Sequence, residues 1–237
     1  EHAGVFAAAA HPGGAGAGRK RCPAGNNEWF LRQMLPEVQE AAKAAGRSVY
    51  DVMNEWVSSI PPEEFVPVFL PFLMASNVHP NAKGSFVGIT VNHTRRHLLR
   101  SVYEGVAFCH RYHTEKLLAT RDTPPECIRL AGGAARSAVW TQMFADILHL
   151  PVQTVAANET GALGCAIASA VAVGEYPDLS AAARAMCRIS EPVQPREEYR
   201  AVYDRKYALY CRTIECLDAL WPEMQAVVDA SAASVQG

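Results

Sequence analysis

The chain has 237 residues, 49% of them hydrophobic and 19% charged, which is enough apolar material for one large or two small globular domains. A net charge of −2 supplies no basic field for nucleic acid or an anionic membrane surface, and no apolar run approaches the roughly 20 residues that cross a bilayer. The seven cysteines are odd in number and form no CxxC pair, which favours reduced thiols in a cytoplasmic setting over a disulfide framework.

Residues 1–24, EHAGVFAAAAHPGGAGAGRKRCPA, are Ala/Gly-rich with a basic cluster at Arg19-Lys20-Arg21. Their apolar stretch is too short for a signal peptide and follows an acidic residue. They also fail as a phosphate-binding GxxxxGK[ST] loop, because Gly13 and Gly18 are followed by Arg19-Lys20-Arg21 and then Cys22-Pro23. The expectation is a disordered or non-native leader without sheet strands, such as a truncation or frame-shift scar. From Gly25 onward the pattern is orderly. Asn26 or Asn27 caps a helix carrying Trp29, Phe30, Met34, Leu35 and Val38, bent or split at Pro36. A second helix fits Val49 to Ile60, with Ser48 as its cap and Pro61-Pro62 as its stop. Phe65 to Leu73 reads as an extended edge, and 75–83 as a polar loop.

The stretch Gly84 to Glu104, GSFVGITVNHTRRHLLRSVYE, predicts a short buried strand over Ser85–Ile89, a polar turn over Thr90–His93 and a long helix. Thr94 is its N-cap and about Ala119 its end. His93 and His97 stand four apart, as zinc ligands do on a helix, but Arg95 and Arg96 lie between them and no glutamate follows His93. Polar-face and capping roles are expected for both histidines.

Further on, Cys127 to Ala131 predicts a strand ending in Gly132-Gly133-Ala134, before a helix that begins near Ser137. Small residues between a strand and a helix N-terminus expose N–H groups that can receive phosphate; a plain chain turn is the other reading. Val152 to Val155 is a strand, and Glu159-Thr160-Gly161 opens a small-sided helix suited to packing on a sheet. Glu197 to about Val228 reads as one long amphipathic helix, with Tyr199, Val202, Tyr203, Tyr207, Tyr210 and Leu217 inward. Residues 231–237 read as a flexible tail.

The Gly84–Glu104 stretch resembles the second signature of the FGGY carbohydrate kinases. It matches at Gly84, Phe86, Gly88, Ile89, then after seven residues His97, Leu98, Ser101, Val102, Tyr103 and Glu104. LAGGAARSAVWTQMFADIL and ETGALGCAIASAVAVGEY follow at the spacing of that family's C-terminal domain, and FLPFLMASNVHPNAKGSF is most similar to pentulose kinases of the xylulose type. The resemblance implies an α/β fold, the actin-like (ribonuclease H-like) ATPase lobe that forms the C-terminal half of a two-lobe sugar kinase, here over 25–230. It implies ATP and Mg²⁺ as cofactors and a nucleotide pocket lined by Gly88, Asn92, Gly132, Gly133, Ala134 and Ser137. It also implies that most sugar contacts and the catalytic aspartate belong to an N-terminal lobe, so that no catalytic residue is expected in this chain; no metal ligand is expected either. Expected partners are nucleotide and sugar, with no nucleic acid and no membrane, and with room for a homodimer. The alternative is a non-catalytic nucleotide-binding module that pairs with a separately encoded lobe.

Overall fold

The computed structural model describes residues 5–6, 24–74, 76, 78–120, 122–123, 125–157 and 159–235. A two-residue strand, β1 (Val5–Phe6), precedes three helices: α1 (Ala24–Met34), α2 (Pro36–Ala44) and α3 (Val49–Ser58). An antiparallel pair follows, β2 (Val68–Leu70) and β3 (Ser85–Val87), in register Phe69 to Phe86. The chain continues through α4 (Arg95–Leu118), β4 (Ile128–Leu130), α5 (Ala138–Leu148), β5 (Val152–Thr154), α6 (Thr160–Ala172), α7 (Leu179–Met186), α8 (Arg200–Leu217) and α9 (Leu220–Val235). Among the described residues a parallel three-stranded sheet has the order β1-β4-β5.

Helix α4 is the axis of the core. Leu99, Val102, Tyr103, Val106 and Ala107 are at most 2% exposed, and the helix packs against α1, α3, α5, α8 and β2. Gly105 permits the closest of these approaches, since a Cβ there would collide with the Phe69 carbonyl oxygen of β2. Tyr103 stacks on Trp140 of α5 with ring centroids 4.3 Å apart, and Phe108 meets Tyr203, Tyr207 and Tyr210 of α8.

Several expectations are corrected. A strand does lie inside the stretch read as a strandless leader, because Val5 and Phe6 pair with Ile128 and Arg129; residues 7–23 lie outside the described residues. Asn26 and Asn27 are not caps but buried positions within α1. Strand β3 is shorter than Ser85–Ile89 and only half-buried, with Val87 and Ile89 exposed. The small-sided α6 buries no residue and packs on α7 instead of a sheet. The long C-terminal helix is two helices: Pro222 has no N–H to return to the Asp218 carbonyl, so the chain turns before it. Helix α9 then runs to Val235, through most of the expected tail. Pro36 does split α1 from α2, with Pro36 in the first helical turn where its missing N–H costs nothing.

His110 of α4 lies edge-on to Phe144, with centroids 5.2 Å apart. Burial, with His113 beside it, pulls its imidazole from 6.5 down to about 4. A folded-state pKa below the unfolded one means that this contribution is intact above pH 6.5 and is lost as pH falls toward 4. Because the ring is only half-buried, about 1–2 kcal/mol of unfolding free energy should disappear across that window. Urea denaturation at pH 7 and pH 4.5 measures it; His110→Gln should flatten the dependence, and an equally steep loss in the variant would contradict the assignment.

Candidate functional site

Parallel pairing of β4 with β5 puts their C-terminal ends side by side, the place where open α/β sheets bind ligands. After Leu130 the chain passes through Ala131 to Gly132, whose φ of 88° and ψ of −157° are open to glycine but strained for other residues. A single 3-10 turn, Gly133–Arg136, leads to Ser137 and then α5. The first N–H groups of such a turn have no partner inside it. A Cβ built on either Gly132 or Gly133 would meet nothing within 4 Å, so both face open space. The cleft there is about 350 Å³, walled by Gly132, Ala135 and Arg136 on one side and Thr154, Val155, Ala156 and Ala157 on the other.

The expected site residues separate into three groups. Gly132 lines the cleft; Gly133 and Ala134 belong to the same turn but do not line it. Ser137 lies at the base of the turn and is 8% exposed. Its oxygen accepts the Trp140 N–H at 3.0 Å, and its hydroxyl donates to Asn54 Oδ1 of α3 at 2.7 Å. Ser137 is therefore the N-cap of α5, with its hydroxyl already engaged. Asn54 Oδ1 also faces the Tyr103 hydroxyl at 3.5 Å, and burial pushes that phenol up to about 12 while a hydrogen bond with Asn27 pulls it back. The cleft loop is thus anchored to α1, α3 and α4.

Gly88 and Asn92 belong to another place, the β3–α4 turn, and neither lines the cleft. Gly88 has a φ of 89° and packs against Phe65. Two histidines hold this turn. Thr90 N–H donates to His93 Nδ1 at 2.9 Å, and Thr94 N–H to His97 Nδ1 at 3.1 Å. With Nδ1 accepting, each Nε2 carries the proton and donates, His93 to the Phe65 carbonyl at 3.2 Å and His97 to Glu64 at 2.8 Å. The expected capping role holds for His97, which completes a capping box with Thr94, while His93 braces the turn before it.

Three carboxylates, two of them in the core, are engaged structurally. Asp146 accepts from the Arg196 backbone N–H at 2.8 Å and from its guanidinium at 2.6 and 3.1 Å. Asp178 caps α7 through the Ala181 N–H at 2.8 Å. Glu104 is held by Arg100 and Lys206. Among the described residues no group of three or more His, Cys, Asp or Glu is placed to hold a metal ion. Nor is any described helix long and apolar enough to cross a membrane. Sequence reasoning missed Arg136 and the Thr154–Ala157 wall; the signal available was that both lie at or beyond the C-terminal ends of strands read as consecutive.

The sequence model of the FGGY family of carbohydrate kinases, C-terminal domain, matches residues 4–173. The chain belongs to the FGGY carbohydrate kinases. The FGGY match takes in β1 and most of the stretch expected to be a foreign leader. The L-xylulose/3-keto-L-gulonate kinase of Escherichia coli (strain K12) is 35% identical over 193 residues, 81% of this chain and 36% of that protein. A probable L-xylulose kinase of Pasteurella multocida (strain Pm70) is 32% identical over 197 residues, 83% of this chain and 37% of that one. The solved xylulose kinase from Rhodospirillum rubrum superposes with a TM-score of 0.70 at 27% identity, covering 84% of this chain and 38% of that chain. This FGGY chain thus spans little more than a third of the length of the curated relatives it matches. Its fold is the α/β actin-like ATPase lobe of the sugar kinases' C-terminal half.

Because the Ser137 hydroxyl serves α5, Ser137→Ala should lower the unfolding free energy by about 1–2 kcal/mol, the loss of a cap plus a buried hydrogen bond. Urea unfolding followed by circular dichroism measures this. An unchanged midpoint would mean that the hydroxyl is not structural.

Proposed function

We propose that these 237 residues are the nucleotide-binding half of an ATP-dependent, pentulose-type carbohydrate kinase, which moves the γ-phosphoryl of ATP onto a sugar hydroxyl. The observation that carries this reading is the cleft at the ends of β4 and β5, opened by a glycine with φ of 88° inside an FGGY match. Nucleotide suits it: the wall is small and uncharged apart from Arg136, and the 3-10 turn presents N–H groups to an anion. ATP supplies the phosphoryl group when bound. Mg²⁺ would come with the phosphates, which ordinarily supply part of its coordination. The Gly132–Ala134 backbone would bind phosphate, Ser137 would hold that loop in place, and Gly88 with Asn92 would approach the same ligand from the β3–α4 turn.

In this reading the body over 25–230, with β1 joined to its sheet, binds nucleotide, while the sugar and the general base are supplied by another lobe. Phosphoryl transfer depends on positioning both substrates and on a base to accept the hydroxyl proton, and Glu104, Asp146 and Asp178 are committed to ion pairs or a cap. Negligible sugar phosphorylation follows for this chain taken by itself, in a cytoplasmic setting. The exposed apolar side chains of Phe65, Ile89 and Val91 suit contact with such a lobe, joined or separate, and so do not favour the separately encoded alternative.

Titration calorimetry of the chain with Mg-ADP, beside Gly133→Asp, tests the reading. Gly133 faces open space, so the variant should fold while its carboxylate repels phosphate. Binding by the natural chain, weakened about tenfold or more in the variant, is expected from the loss of charge-assisted contacts. A folded natural chain that binds no Mg-ADP would overturn the reading.

A further inference from the structure

Among the described residues, the wall of the cleft carries one ionisable side chain. Of its seven lining residues, Gly132, Ala135, Val155, Ala156 and Ala157 offer no charge and Thr154 offers a hydroxyl, which leaves Arg136. With the whole chain at −2, no general positive field draws in an anion, so attraction at this cleft has to be local.

From this we infer that Arg136 grips the phosphate oxygens of the bound nucleotide, in addition to the backbone N–H groups of the glycine turn. The inference rests on the nucleotide reading of the cleft. A guanidinium presents two parallel N–H donors at the spacing of two phosphate oxygens and keeps its charge at any working pH. Its position supports that use. Arg136 is the last residue of the 3-10 turn and directly precedes Ser137, whose hydrogen bonds to Asn54 and to the Trp140 N–H fix the backbone there. The side chain therefore leaves a backbone anchored to α3 and α5, next to the glycine backbone that would meet the same phosphate. The base has an obvious place elsewhere, against the apolar Val155–Ala157 segment on the opposite wall. Arg136 is itself exposed.

This division of labour gives two ligands different sensitivities. Calorimetry with Mg-ADP and with adenosine would be run on the full chain, Arg136→Gln and Arg136→Lys, with urea midpoints measured for all three. Arg136→Gln should weaken Mg-ADP by about tenfold or more, as expected for a lost hydrogen-bonded charge, and leave adenosine within about twofold. Arg136→Lys should recover part of the Mg-ADP affinity, because it keeps the charge and loses the fork. Raising NaCl should weaken Mg-ADP less in Arg136→Gln than in the natural chain. Equal weakening of ADP and adenosine would make Arg136 a base or shape contact and overturn the inference, as would an unchanged ADP affinity. Failure of the natural chain to bind ADP at all would overturn the reading on which the inference rests. That result is distinguishable, because it appears before any variant is compared.

Discussion

Helix α4 carries two ionised side chains through the middle of the core, and they have to be satisfied before anything else can pack. Arg100 and Glu104 lie one turn apart with side chains 4% and 3% exposed, joined Nε to Oε1 at 2.8 Å. The remaining Arg100 donors reach the Val57 carbonyl at 3.0 Å, the Ile60 carbonyl and the Tyr203 hydroxyl at 3.1 Å. Lys206 of α8 closes the group on both Glu104 oxygens at 3.1 Å. Burial pulls the Lys206 ammonium below its ordinary range, and the Glu104 charge pushes back. Two cations share one carboxylate, so the desolvation cost is offset only while every partner is present.

That requirement fixes three helices relative to one another. The carbonyls that Arg100 takes lie at the C-terminal end of α3, the negative end of its dipole, so the cation anchors α3 as well as neutralising Glu104. Once α3 is anchored, Asn54 is in place to accept from Ser137, and Tyr103, beside Glu104 on α4, stacks on Trp140. The orientation of α5 and of the glycine turn before it thus follows from charges buried well away from the cleft. A second ion group serves the other end of α5: His149, in a left-handed conformation at its C-cap, and Arg111 of α4 both bond Asp204 of α8 at 2.7 Å. Burial raises and these two partners lower the Asp204 carboxyl, which ends below its ordinary range.

The parts that were legible in the sequence have a local cause. Thr94 before an apolar-periodic run, Pro36 within one, and Gly-Gly between a strand and a helix each act through their own backbone, and each is found where expected. The parts that were not legible depend on what the chain meets in space. Nothing in a run of small residues says whether α6 lies on a sheet or against α7. The pair Val5-Phe6 is too short to show as a strand without β4 beside it. Ser137 has a residue type that suits both a cap and a ligand; its cap bond to the Trp140 N–H is local, but the partner of its hydroxyl proton, Asn54, lies 83 positions away. Glycine drew attention to the backbone of the cleft loop, whereas its charge sits on Arg136, a residue with no pattern around it.

Hydrogen exchange on the full chain, with and without Mg-ADP, tests most directly that nucleotide binds where β4 and β5 end. Slowed exchange in peptides covering Ala131–Arg136 and Thr154–Ala157 is the expected result, with α9 unchanged. Protection confined to the β3–α4 turn, or spread evenly over the chain while those two segments stay fast, would contradict the account.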